Sequence, residues 1–344
     1  MNILKDINLK ELSTFKVNAK AKYFADITTE GEIQELINTK EFKENKRYIL
    51  GKGANTLFKE DFDGLVIKIS IKGKEILSED NTAVLLKVGA GEDWTELVEY
   101  TVNNGWSGIE SLVLIPGTAG AAPVQNIGAY GQEISNVFEY LEAVNLSNGQ
   151  KEIFNKTECN FGYRSSIFKE EDKGKYIITA IVIKLQKTDD NIYLSSFPQY
   201  KSLEAELQKN GNEPYTLRDI YNAVVNIRKK KLPSIEEYGS AGSFFTNPVI
   251  TGEQLTKIQH TFPDIPYFET GSNNSFKIPT GWVLEQLGWK GKREGDVGTW
   301  PDHALIVVNY GDVSGKKVIA FTDKIADDFL KKTGIPLTPE LTII

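Results

Sequence analysis

The sequence predicts an α+β protein, on three grounds: short β-rich runs, two segments with helical periodicity, and glycine-rich joints between them. Arg47–Leu50 is a short apolar run that ends in Gly-Lys-Gly-Ala-Asn and reads as a strand entering a tight turn. Leu65–Ile71 alternates and reads as a strand, as does Ala83–Val88. Asp93 can cap a helix that runs through Asn104, with Trp94, Leu97, Val98, Thr101 and Val102 on one face and Gly105 as the stop. Val137–Asn145 and the isoleucine-rich Tyr176–Leu185 are strand-like. The polar stretch Thr188–Glu213 reads as an excursion, and a domain boundary is expected near 200–215. Leu217–Lys231 is a helix, with Leu217, Ile220, Tyr221, Val224 and Ile227 on one stripe, and Pro233 ends it. Beyond it, Ala304–Asn309 reads as a strand, Thr322–Thr333 as a helix and Ile335–Ile344 as a terminal strand.

Composition narrows the function. A chain of 344 residues suits two or three domains, and 40% hydrophobic with 25% charged residues is an ordinary globular mixture. The single cysteine, Cys159, excludes an internal disulfide framework, a CxxC pair and thiolate zinc sites. Two histidines, His260 and His303, exclude most histidine-based metal sites, and no metal is expected. A net charge of −7 argues against a nucleic-acid partner but leaves room for a local basic pocket. The N-terminus has no apolar signal-peptide core, and no run of about 18 apolar residues occurs. A soluble cytoplasmic protein without a membrane partner is expected, and nothing demands a partner chain, so a monomer is expected.

Two loops have the composition of phosphate cradles. Ile115–Gly131, IPGTAGAAPVQNIGAYG, holds four glycines and four alanines in seventeen residues, and no charge falls between Glu110 and Glu133. Small side chains let the backbone approach a ligand closely, and successive N–H groups can form an anion-binding nest. A glycine-rich turn against a core explains the same composition. Gly51-Lys52-Gly53-Ala54-Asn55 also follows a strand, but Thr56 stands where a Rossmann fingerprint needs glycine, and no Walker motif occurs. Two such loops about 65 residues apart point to a dinucleotide held outside a Rossmann fold.

Taken in order and spacing, Leu12-Ser13-Thr14-Phe15, GKGAN at 51–55, IPGTAGAAPVQNIGAYG at 115–131, FGYR at 161–164, GSAGSFFTNP at 239–248 and PEL at 339–341 resemble the MurB family of UDP-N-acetylenolpyruvoylglucosamine reductases. The resemblance covers nearly the whole chain. It implies an FAD-binding fold of the vanillyl-alcohol-oxidase/PCMH type in two α+β subdomains (1–70 and 71–210, with the excursion at about 188–213) and a C-terminal substrate domain (211–344). It implies NADPH as reductant and UDP-N-acetylglucosamine enolpyruvate as substrate, with hydride passing from flavin N5 to C3, protonation at C2, and a place in peptidoglycan precursor synthesis. The residues implied at FAD are Gly51, Lys52, Gly53, Ala54, Asn55, Thr56, Pro116, Gly117, Thr118, Gly120, Ala121, Asn126, Gly128, Ala129 and Tyr130. The flavin-binding half holds no histidine and one cysteine, so non-covalent FAD is expected.

Hydride addition to an unsaturated carboxylate places negative charge on C2 and the carboxylate oxygens, so the protein must stabilise an enolate and supply a proton. Arg164 suits the first task, because a guanidinium is always charged and grips a carboxylate bidentately. Ser243, set among small residues before two phenylalanines, is implied as the proton donor, with Ser240 as the nearest decoy. Glu340, on the opposite face of the terminal run from Leu337, Pro339, Leu341 and Ile343, is implied to assist near C2. The family often has Glu-Pro-Glu there, whereas this chain has Thr338-Pro339-Glu340.

Arg228 and Lys231 fall within about 40° of the apolar stripe's centre, and cations on a core-facing phase need an anion. They are expected to face the substrate diphosphate or NADPH phosphates; the alternative is the preference of helix C-termini for cations. Asn247 matches a family position near the uridine nucleotide, and Tyr200 a loop tyrosine that closes over the diphosphate in the longer, type I form. His303 either lines the nucleotide end or is a satisfied structural histidine. Two other readings share the loops: an FAD-dependent oxidase acting on another alcohol or sugar, and a nucleotide-binding protein without turnover.

Overall fold

The computed structural model describes residues 1–188, 201–210, 214–271 and 274–344. They form two compact units. The first is Met1–Ile7, Ala21–Lys52 and Asp63–Lys230, and the second is Asn8–Lys20, Gly53–Phe62 and Lys231–Ile344. The seam therefore falls at the end of the helix Leu217–Lys231, not near 200–215. The reason is the helix's apolar stripe: Leu217, Ile220, Ala223, Val224 and Ile227 are buried in the same cluster as Leu97, Val98 and Leu112. Part of the polar excursion is also structured, as a helix over Lys201–Asn210 that buries Leu203 and Leu207 in that cluster.

The first unit contains two sheets. One is four-stranded, in the order Ile3–Asn8, Lys20–Ile27, Phe62–Ile69 and Lys46–Leu50, with the last two parallel. The other is built around the twelve-residue strand Tyr176–Lys187, flanked by Phe138–Asn145 and Ala83–Gly89 and paired antiparallel to both. Seven consecutive residues of that strand, Ile177–Ile183, are buried. A strand covered on both faces has no polar side to show, which is why its sequence is a continuous isoleucine-rich run rather than an alternation. Asp93 caps the helix Trp94–Asn103 by accepting from Thr95 N and Glu96 N.

The second unit is organised on a four-stranded sheet in the order Gly239–Ser243, His303–Asn309, Val297–Trp300 and Arg293–Glu294. The helix Gly315–Thr333 starts seven residues before the expected Thr322, because Val318 and Phe321 extend the buried stripe of Ile325 and Phe329. Ile335–Ile344 is not one continuous strand. It makes a single antiparallel bridge, Pro339 to Phe245, and then a two-residue strand, Thr342–Ile343, parallel to Thr56–Leu57. Leu341 is buried while Pro339 is exposed, so the expected common face does not form. The N-terminal pieces join this unit through backbone pairing: Thr14 N donates to Gly53 O, and Ser240 N donates to Thr14 O.

Candidate active site

In the first unit, the strand Lys46–Leu50 delivers the chain to Gly51, where a Cβ would stand 2.7 Å from Thr118 Oγ1 and 3.6 Å from Ala121 Cβ. The two small-residue loops therefore meet there. Backbone bonds lay the second loop along residues 90–94: Trp94 N to Gly117 O (3.2 Å), Ala119 N to Glu92 O (2.8 Å) and Gly120 N to Ala90 O (2.8 Å). Gly117, at φ 156°, has no atom within 4 Å of where its Cβ would be, so the main chain is open on that side. Lys52 is ion-paired with Asp93. A diphosphate recognised by close backbone approach, rather than by lysine or arginine, fits this arrangement.

The GKGAN loop divides between the units. Gly51 and Lys52 belong to the first, and Gly53, Ala54, Asn55 and Thr56 to the second. There Asn55 O accepts from Thr342 N (2.9 Å), and its Nδ2 donates to Glu340 O (3.4 Å).

Beyond Pro116 and Gly117, the long loop closes as a hairpin. Gly128–Ala129 pairs with Gln132–Glu133 across Tyr130 (φ 51°) and Gly131 (φ 81°), the two positive φ values of a type I′ turn. Arg164 sits on a second tight turn, closed by Ser165 N to Gly162 O (3.2 Å) and Gly162 N to Ser165 O (3.0 Å), with its own φ at 54°. Its Nη2 donates to Gly128 O at 2.8 Å, and its guanidinium lies 5.5 Å from the Tyr163 ring centroid. Arg228 reaches the same neighbourhood. Its Nη2 donates to Leu114 O at 3.1 Å, while its Nε is sealed from solvent with no hydrogen-bond partner among the described residues. Burial lowers the Arg228 pKa; the charge of Arg164 acts in the same direction and Tyr130 opposes it. Burial likewise pushes the Tyr130 phenol up.

Leu114 (φ 59°), Asn126 (φ 42°), Tyr130 and Arg164 are four non-glycine residues in the left-handed region, and all belong to this cluster. Each costs on the order of 1–2 kcal/mol, and such strain gathers where a site demands a fixed geometry. Two guanidinium groups in partly buried surroundings have the chemistry to pair with a carboxylate or an enolate.

In the second unit, the strand Gly239–Ser243 carries an extra residue. Ser240 is opposite Val308 but Ser243 is opposite Ile306, and Gly242 takes φ 76° in the resulting bulge. A bulge re-aims the side chain beyond it. The two serines consequently differ. Ser240 is buried, donating to Val307 O (3.1 Å) and accepting from Gly242 N (3.2 Å). Ser243 is half-buried, and its hydroxyl makes no hydrogen bond among the described residues. Glu340 N donates to Phe244 O at 2.8 Å, which fixes the main chain of Glu340 beside the strand that bears Ser243.

Asn247 Oδ1 caps the helix Thr280–Gln286 by accepting from Thr280 N (2.9 Å). The His303 ring packs on the first turn of this helix, its Cε1 3.3 Å from where a Gly281 Cβ would be. His303 Nδ1 accepts from Leu305 N (3.3 Å), which leaves the neutral ring's proton on Nε2. Burial lowers the His303 pKa below 6.5; Lys231 and Lys290 add to the effect and Glu285 opposes it. An unfolded chain therefore takes up a proton at His303 below about pH 6.5 while the folded chain resists, and stability falls as the pH drops. His303→Asn, which keeps an acceptor for Leu305 N, is expected to lose less melting temperature than the parent between about pH 6.5 and 5. An identical pH slope in thermal denaturation would refute this.

Arg228 and Lys231, expected to act together, have different surroundings. Arg228 lies with Arg164 and Tyr130, whereas Lys231 is exposed and its field is felt at His303. One helical turn separates them, but the seam between the units falls in that turn. Tyr200 lies outside the described residues. Sequence reasoning missed Leu114, whose strained carbonyl receives Arg228, and Glu133, which accepts from Asn126; the only signal was Glu133's position as the first charge after the neutral stretch.

The fold and the paired small-residue loops define the class, an FAD-dependent oxidoreductase. Residues 21–153 match the FAD binding domain, and residues 234–344 match the C-terminal domain of UDP-N-acetylenolpyruvoylglucosamine reductase. The protein of that name from Flavobacterium johnsoniae is 41% identical over 344 residues, 100% of both chains. The one from Amoebophilus asiaticus is 40% identical over the same full length, and the one from Pseudomonas putida 36% identical over 334 residues, 97% of this chain and 96% of its own. The crystal structure of the MurB reductase from Thermus caldophilus shares the fold, with a TM-score of 0.70 at 21% identity over 100% of this chain and 99% of that one. The chain belongs to the UDP-N-acetylenolpyruvoylglucosamine reductase family, and its cofactor is FAD.

Proposed function

We propose that this protein reduces UDP-N-acetylglucosamine enolpyruvate to UDP-N-acetylmuramate with NADPH, as a cytoplasmic monomer supplying peptidoglycan precursors. The observation that carries this reading is the family relationship across the whole chain, at 41% identity to a reductase of that name. Bound FAD supplies the means of passing two electrons from the nicotinamide to the substrate as hydride. The net change adds a hydride to C3 and a proton to C2 of the enolpyruvyl double bond, and NADPH becomes NADP⁺.

The chain's own residues supply the rest. Gly51, Gly117 and Thr118 offer backbone N–H groups to the cofactor diphosphate, while Gly120 and Ala121, whose own N–H groups are bonded to Ala90 O and Thr118 O, let it approach through their small side chains; the open main chain at Gly117 supports this. Arg164 grips the substrate carboxylate and, with Arg228 behind it, neutralises the charge that develops on C2 and the carboxylate oxygens. This places Arg228 at the carboxylate end rather than the diphosphate end; its proximity to Arg164 supports the reassignment. Ser243 Oγ holds the proton delivered to C2, and its uncommitted hydroxyl supports that role. A hydroxyl is a weak acid, but a carbanionic neighbour is a strong enough base to take its proton, and Glu340 assists. Lys231 meets the substrate diphosphate or the NADPH phosphates, and Asn247 and His303 bind the nucleotide end.

Flavin-loaded protein is expected to oxidise NADPH beyond one equivalent per flavin only when UDP-N-acetylglucosamine enolpyruvate is added, and to release all its flavin on acid denaturation. Absence of turnover with that substrate would overturn the reading, and flavin retained in the acid pellet would overturn non-covalent binding.

A further inference from the structure

Arg164 occupies a backbone conformation that arginine does not favour, at the tip of a turn closed by one residue pair with no strand behind it. Neighbouring structure has to hold it there. Gly162 O, which closes the turn by accepting from Ser165 N, also accepts from Asn126 Nδ2 at 3.1 Å. Asn126 is 1% exposed. Its amide also donates to Glu133 Oε2 (2.7 Å), and its Oδ1 accepts from Ser135 N (3.2 Å). A flip of the amide would set Oδ1 against two acceptors and Nδ2 against a donor, so this orientation is locked. The other end of Arg164 is tied to Gly128 O, two residues beyond Asn126. One segment therefore grips both the turn that carries Arg164, through Gly162 O, and the Arg164 guanidinium, through Gly128 O.

We propose that Asn126 is a positioning residue that fixes the Arg164 guanidinium for reduction of the substrate. The sequence suggested Asn126 as a cofactor contact, but its side-chain amide is already engaged within the protein at both nitrogen and oxygen. The inference rests on the role given above to Arg164. A partner that orients a reacting group commonly affects function by about 10–100-fold, because misplacement by about 1 Å is enough to degrade the alignment.

The test measures the two half-reactions separately in flavin-loaded Asn126→Ser, Asn126→Asp, Arg164→Ala and the double variant Asn126→Ser/Arg164→Ala. Flavin content, melting temperature and flavin reduction by NADPH are followed alongside. In the Asn126 single variants, flavin content and the NADPH half-reaction are expected within about 2-fold of the parent, while the substrate half-reaction slows by about 10–100-fold. In the Arg164→Ala background the Asn126→Ser change should cost less than about 3-fold, because the group it positions is gone. Additive losses in the double variant, or loss of flavin in both Asn126 variants, would overturn the inference and leave the role of Arg164 standing. A substrate half-reaction unchanged by Arg164→Ala would instead overturn the reading beneath it, and the inference with it.

Discussion

Arg164→Ala is expected to slow transfer to the enolpyruvyl substrate by about 10²–10³, equivalent to about 2.7–4 kcal/mol, and to leave flavin reduction by NADPH nearly unchanged. The size follows from when the charge appears. The ground-state substrate already carries a carboxylate, but the additional electron density arrives on C2 and the carboxylate oxygens only during hydride addition. A guanidinium already fixed by Gly128 O needs no reorganisation at that moment. Arg164→Lys should recover only part of the loss, because an ammonium lacks the planar fork and cannot donate to Gly128 O and the substrate in the same geometry. Arg228 remains in either variant and limits the loss. Rapid mixing of reduced protein with substrate reads the step directly. A second half-reaction within about 3-fold of the parent in Arg164→Ala would exclude the assigned role.

Ser243→Ala is expected to slow the same half-reaction by about 10²–10⁴, the range for a lost general acid, again with flavin reduction intact. The bulge makes this a clean experiment. Ser243 lies past the Gly242 kink, and its hydroxyl makes no hydrogen bond among the described residues, so alanine leaves no buried group unsatisfied. Thermal stability should therefore barely change. Ser240→Ala is the contrasting variant: it removes a donor to Val307 O and should lower stability by about 1 kcal/mol. Equal slowing of both half-reactions in Ser243→Ala would contradict proton donation.

Much of the fold was legible because local patterns and tertiary packing agree. The helix Leu217–Lys231 has the expected bounds, and Asp93 caps its helix as its place before the apolar stripe suggested. The strand Tyr176–Lys187 was visible from its isoleucines alone. What was not legible depends on partners distant in the chain. Nothing near Thr56 shows that it pairs with Thr342, and nothing in the helix Leu217–Lys231 shows that the seam falls at its final residue. In the site, residue types pointed to the chemistry of Arg164 and Ser243, but the backbone devices that aim them were hidden. A bulge at Gly242 and left-handed turns at Tyr130 and Arg164 arise from register and closure, which one sequence does not display.

The chain passes between its two units five times, and the second unit draws on residues 8–20, 53–62 and 231–344. During synthesis the early segments leave the ribosome long before their partners exist. Thr56–Leu57 has to wait for its partner strand Thr342–Ile343, far downstream in the chain. The second unit can close only after Thr342–Ile343 has emerged, while the first has all its own residues once Lys230 is made. A nascent chain halted there would carry a complete first unit together with two orphaned segments, natural targets for chaperones until the remainder arrives.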